Sequence, residues 1–153
     1  VTSWPLPEYV AHRWKHAWIC AAFRNEGSGQ SSELIREAIA ATAAKYGDAP
    51  SDGMITFVDP KAVRATKRPG WCFLKAGFHY VDCGICDGTG HDSIPLMEPP
   101  GSSILVRCKR CRGDGRERTT RGFLVLQLDA AAVPAPIPAL DRQSSLFPPE
   151  GVR

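Results

Sequence analysis

Apolar positions along this chain come in short runs punctuated by glycine and proline, and the runs change period from one to the next. Ala17-Trp-Ile-Cys-Ala-Ala-Phe23 is a short apolar run bounded by polar residues, the signature of a buried strand. Arg24-Asn-Glu-Gly-Ser-Gly-Gln30 cannot extend it. Ser31 or Ser32 then offers a helix N-cap, and Glu33 places a negative charge in the first turn, where the helix dipole favours it. Leu34, Ile35, Ala38, Ile39 and Thr42 share one helical face, and Gly47 supplies the stop. Met54-Ile-Thr-Phe-Val58 predicts a second strand closed by an Asp59-Pro60 turn. Pro69 opens a short helix, Trp71-Cys-Phe-Leu-Lys75, which Gly77 ends. Phe78-His-Tyr-Val81 and Phe123-Leu-Val-Leu-Gln-Leu128 predict the third and fourth strands. The order predicts an α/β fold whose last two strands pair as a hairpin, with the connection between them swollen into a cysteine-rich insert.

Composition divides the chain accordingly. Residues 1–16 form an N-terminal arm or strand, residues 17–82 and 119–130 the α/β core, 83–118 the insert, and 131–153 a tail bearing prolines at 134, 136, 138, 148 and 149. A length of 153 residues suits one compact domain. With 43% apolar and 23% charged residues the composition is that of a globular protein, and a net charge of +3 does not by itself point to nucleic acid. No apolar run approaches the roughly 18 residues that span a bilayer, so no membrane association is expected. Val1-Thr-Ser-Trp-Pro has no basic segment leading into an apolar one, so no secretory leader is expected and the bacterial cytoplasm is the expected compartment.

The chemistry is concentrated in the insert. Cys83-Gly-Ile-Cys-Asp-Gly-Thr-Gly90 and Cys108-Lys-Arg-Cys-Arg-Gly-Asp-Gly115 both read CxxCxGxG, with 21 residues between the two CxxC pairs. Four thiolates satisfy the tetrahedral preference of zinc, and the trailing glycines allow turns whose backbone amides can donate to sulfur. Cys83, Cys86, Cys108 and Cys111 are therefore the candidate ligands of one structural zinc ion, in a closed site with no position left for substrate. His91 is expected outside the ligand shell. Cys20 and Cys72, inside apolar runs, are expected to be buried structural thiols. The repeat resembles the DnaJ-type cysteine-rich domain, which pairs two such units per zinc.

Seven Lys or Arg residues against Asp114 and Glu117 lie between Arg107 and Arg121. Arg107, Lys109, Arg110 and Arg112 are candidate contacts to a phosphate backbone, the alternative being a merely solvated zinc lobe. No aromatic residue interleaves with these charges before Phe123, so base stacking is not indicated.

A strand that breaks into a glycine-rich loop and then a capped helix is a recipe for holding phosphate, and Gly27-Ser-Gly29-Gln-Ser31 sits at that junction. With Phe73-Leu-Lys-Ala-Gly77-Phe78 and Gly122-Phe-Leu-Val-Leu-Gln-Leu128, it resembles the C-terminal half of the GNAT acyltransferase superfamily. That family carries Gln/Arg-x-x-Gly-x-Gly/Ala at a helix start and Tyr-x-x-x-Gly-Phe at a later helix end. One register places the first motif on Glu26–Ser31, another on Arg24–Gly29. The Phe23-Arg-Asn-Glu26 stretch is also similar to short actinobacterial and phage proteins. The resemblance implies a small mixed sheet with two helices, the zinc-binding insert lying between the last two strands. It implies an acetyl-CoA or other acyl-CoA bound at Arg24, Gly27, Ser28, Gly29, Gln30 and Ser31, and N-acyl transfer as the activity. Phe73 stands where the family has the tyrosine that protonates the leaving thiolate, so no catalytic residue is assigned. The alternative is a non-enzymatic zinc protein of phage or bacterial origin that binds nucleic acid or the replication sliding clamp.

In the tail, Gln143-Ser-Ser-Leu-Phe147 resembles the bacterial sliding-clamp-binding peptide. Leu146 and Phe147 would fill an apolar pocket on the clamp, with Gln143 making polar contacts at its rim.

Overall fold

In the computed structural model, residues 2–3, 13–27, 29–62, 68–97 and 101–135 are described. The platform is a four-stranded mixed sheet of β2 (Trp18–Cys20), β4 (Met54–Val58), β8 (Leu124–Leu128) and β5 (His79–Tyr80), in that order. Of its pairings, β2 with β4 is parallel, whereas β4 with β8 and β5 with β8 are antiparallel. The crossover from β2 to β4 is α1 (Ser31–Tyr46), and α2 (Trp71–Ala76) precedes β5. The last two platform strands are neighbours, and the cysteine insert is their connection, as the sequence predicts.

Alternation along the strands sorts the side chains onto two faces. Met54 and Val58 of β4, with Leu124, Leu126 and Leu128 of β8, pack against Ile35 and Ile39 of α1 and Phe73 and Ala76 of α2. Ile55 and Phe57 point the other way and meet Ala17, Ile19 and Trp14, so the segment before β2 covers that face. Backbone bonds hold this segment to the turn before β4, Trp18 N–H donating to Gly53 O at 2.9 Å and Asp52 N–H to His16 O at 2.9 Å.

The second helix ends as Phe73–Phe78 predicts. Gly77, at φ 110°, takes the left-handed position. Its N–H reaches Leu74 O at 3.2 Å and Phe78 N–H reaches Phe73 O at 3.0 Å, a Schellman closure. The accompanying hydrophobic contact is the Phe73–Phe78 ring pair, 5.3 Å apart and edge-on, and Phe73 also meets Phe23 edge-on at 5.8 Å.

Several expectations need correction. Residues 17–23 are not one strand: the chain leaves β4 after Cys20, and β3 (Ala22–Phe23) pairs instead with β1 (Thr2–Ser3), antiparallel. Neither Ser31 nor Ser32 caps α1. Gln30 occupies the N-cap with no side-chain bond, because the Ser31 hydroxyl is taken by the Asn25 side-chain amide at 3.0 Å. The first residue of α2 is Trp71 and its N-cap is Gly70, in the left-handed region at φ 75°. A hairpin of β6 (His91–Pro95) and β7 (Ser103–Arg107) occupies the middle of the insert, where no strand was expected. Among the described residues, no helix is long and apolar enough to cross a membrane.

Candidate metal centre

The two CxxC turns converge at the base of the β6–β7 hairpin. All four sulfurs lie within 4.8 Å of one another, and all four cysteines are buried. Cys83 Sγ is 3.9 Å from Cys108 Sγ, and Cys86 Sγ is 3.7 Å from Cys111 Sγ. These separations are far longer than the roughly 2.05 Å of a disulfide bond. A tetrahedron with metal–sulfur bonds of about 2.3 Å places its sulfurs about 3.8 Å apart. The donor set therefore fits a zinc ion held by Cys83, Cys86, Cys108 and Cys111, as the spacing predicts.

The two units are built alike. Asp87 and Arg112, each following the second cysteine of its pair, are the two non-glycine residues at positive φ among the described residues, at 46° and 59°. The glycines after them repeat the pattern, Gly88 with Gly113 and Gly90 with Gly115, all at φ between 72° and 86°. The units also exchange backbone bonds. Cys83 N–H donates to Gly115 O at 2.7 Å, and Cys108 N–H donates to Gly90 O at 2.9 Å. A Cβ on Gly90 would meet Gly113 O at 2.5 Å, and one on Gly115 would collide with Gly88 O. The CxGxG spacing thus serves close approach of the two turns as well as their curvature.

Amide donors reach the sulfurs themselves. Gly90 N–H points at Cys86 Sγ from 3.3 Å. Burial opposes the charged form of Cys111, but N–H groups of Gly115 and Gly113, together with hydrogen bonds from the Cys108 and Cys86 thiols, hold this thiol below the ordinary thiol value. Burial foremost keeps Cys83 and Cys86 above it. His91 is exposed and bonded through Nδ1 to Thr89 O at 3.2 Å, outside the sulfur cluster as expected.

Glu117 escaped the sequence reading except as a countercharge. Its side chain is only 5% exposed. One oxygen accepts from Arg110 Nε at 3.3 Å and Nη2 at 2.8 Å, the other from Gly84 N–H at 3.2 Å, so one carboxylate ties both CxxC turns together. An acid amid a basic run is a weak signal for it, shared with Asp114.

The candidate phosphate contacts divide. Arg110 is engaged by Glu117, and Arg107 donates to Arg112 O at 2.5 Å while packing over Gly113. Lys109 and Arg112 are exposed on the second turn. Much of the basic stretch therefore braces the lobe. Arg118 also bonds Cys111 O, Gly122 O and Asp114, and Arg116 stacks over Tyr80 at 3.9 Å.

The glycine turn lies at the start of α1. Gly27 N–H donates to Asn25 Oδ1 at 2.8 Å, so this amide, expected to face phosphate, is satisfied within the turn. The Asn25 amide also donates to Gly29 O at 2.8 Å. Arg24 pairs with Glu26 at 3.6 Å, both well exposed. Ser28 lies outside the described residues, as do Gln143, Leu146 and Phe147. Gln30 and Ser31 do line an open cleft of about 630 Å³ between the two helices, with Ser32, Arg36, Arg68 and Lys75. Cys72 lines the same cleft and is half-buried, not fully buried as expected, whereas Cys20 is buried.

No family model, curated protein or solved structure matches this chain in the comparisons with known proteins.

Proposed function

We propose that this protein is a zinc-stapled, GNAT-like binder of acyl-CoA, with the phosphates of the ligand in the cleft between α1 and α2. The observation that carries this reading is the charge of that cleft. Arg36, Arg68 and Lys75 line it with the first-turn residues Ser31 and Ser32, and among the described residues no acidic one does. Its volume of about 630 Å³ lies in the range typical of small-molecule sites. Arg36 Nη1 bonds Lys75 O at 3.1 Å, tying the two helices together, and Trp71 offers a half-exposed ring under the Lys75 ammonium. The parting of β3 from β4 after Cys20 is what a slot for the pantetheine arm requires. Acyl transfer belongs to the same reading, but no proton donor is assigned to it. Phe73, at the family's tyrosine position, is a buried core ring and has no proton to give.

Titration of zinc-loaded protein with coenzyme A tests this. At 100-fold excess over its dissociation constant, a ligand specific to the native state stabilises it by about 2.7 kcal/mol. We expect a rise in melting temperature that the Arg36→Ala, Arg68→Ala double variant abolishes. No rise in the parent protein at millimolar coenzyme A would overturn the reading.

A further inference from the structure

We infer that the seam between the zinc lobe and the face of the sheet opposite α1 and α2 is a second anion site, one that takes a single phosphate group. A cavity of about 170 Å³ opens there. It is smaller than the roughly 300 Å³ at which organic-ligand pockets begin, so one oxyanion suits it better than a whole cofactor. Its floor is apolar, formed by Trp14, Phe57 and Val125. Arg13, Arg110 and Arg118 enter its walls from two distant parts of the sequence, joined by the hydroxyl-bearing Thr119 and Thr120.

These guanidinium groups are held in place before any ligand arrives. Both bonds from Arg110 to the buried Glu117 go to one carboxylate oxygen, through Nε and Nη2. Nη1 of Arg110 has no bond among the described residues. Arg118 is fixed by Cys111 O at 3.3 Å, Gly122 O at 3.1 Å and the Asp114 carboxylate. Arg13 lies over the Trp14 ring at 4.5 Å and is accommodated by the absence of a side chain at Gly84, where a Cβ would stand 2.9 Å from its Nη1. Pre-positioned donors lose little conformational freedom on binding, which is what favours a small anion over water. Among the described residues Glu117 is the one acid lining the cavity, and both of its oxygens are already engaged, so the surplus charge there is positive. The site lies on the face of the sheet opposite α1 and α2, and it does not depend on acyl-CoA binding.

A phosphate could come from a free phosphate ester or from the backbone of a nucleic acid. The test uses full-length, zinc-loaded protein with two probes: inorganic phosphate followed by calorimetry, and a fluorescent single-stranded oligonucleotide followed by anisotropy. Arg110→Ala would strand a buried carboxylate and risks unfolding, so Arg13→Ala is the informative variant, with zinc content as its folding control. Losing one charge-assisted contact should weaken phosphate binding about tenfold. Lys45→Ala, in the last turn of α1 and lining neither cavity, should leave it unchanged. Oligonucleotide binding that falls with Arg13→Ala identifies a nucleic acid as the source, and phosphate binding alone identifies a free ester. Absence of saturable binding of either probe, or binding indifferent to Arg13→Ala, overturns the inference.

Discussion

At the scale of single residues, two glycines with similar backbone angles do different work. Gly27 has φ 93° with open space where a Cβ would stand, whereas Gly115 has φ 72° with Gly88 O in the way. Gly27→Ala should therefore cost only the left-handed strain, about 1 kcal/mol. Gly115→Ala adds a backbone collision inside the cysteine lobe and should lose at least about 2 kcal/mol more. Denaturant unfolding with a zinc assay separates the two, because only Gly115→Ala is expected to lower the bound metal. Cys20 gives a residue-scale dependence on pH. Burial foremost raises its thiol from 9.0 to about 11. The folded state thus keeps a proton that the unfolded chain releases. The associated stability is fully present below pH 9 and is lost as pH rises from 9 towards 11, amounting to roughly 2 to 3 kcal/mol. Melting curves across that window should fall less steeply for Cys20→Ala than for the parent protein.

At the scale of elements, legibility followed the length of a pattern and whether its reward was local. The 3.6-residue spacing of Ile35 and Ile39 found α1, and the compact apolar run Met54–Val58 found β4 to the residue. Pro69 and Gly77 bracketed α2, although Gly70 made the N-cap. The strand after it shrank from four residues to His79–Tyr80, since Phe78 is consumed by the Schellman closure. The hairpin was invisible for a physical reason. His91-Asp-Ser-Ile-Pro95 has weak strand propensity, and its pairing is imposed by the cysteine turns at its base. The four-cysteine cluster was legible because CxxC spacing encodes a local turn. Arg13, Trp14 and Glu117 meet only after the lobe has folded back over the sheet, and no local pattern records that.

At the scale of the whole molecule, a lobe with a small core of its own is attached to a platform that has a conventional one. Buried apolar side chains in the platform come from both helices and from strands β2, β4 and β8, whereas the buried cluster of the insert is the four cysteines. Folding of the insert should then depend on metal, since structural zinc contributes on the order of 10 kcal/mol in small domains. Treatment with a strong chelator should raise amide exchange across β6, β7 and both cysteine turns, while β4 and α1 keep their protection. Equal loss of protection in β4 would show that the platform needs the metal too. The crossed N–H bonds between Cys83 and Gly115 and between Cys108 and Gly90 close the neck of the lobe just below the hairpin. Above that collar the peptide carries no cysteine, so its length and composition are free to drift without moving the four sulfurs. The hairpin is in this sense an exchangeable head on a fixed socket, and descendants of this chain could acquire new contacts there while keeping the same four-cysteine cluster underneath.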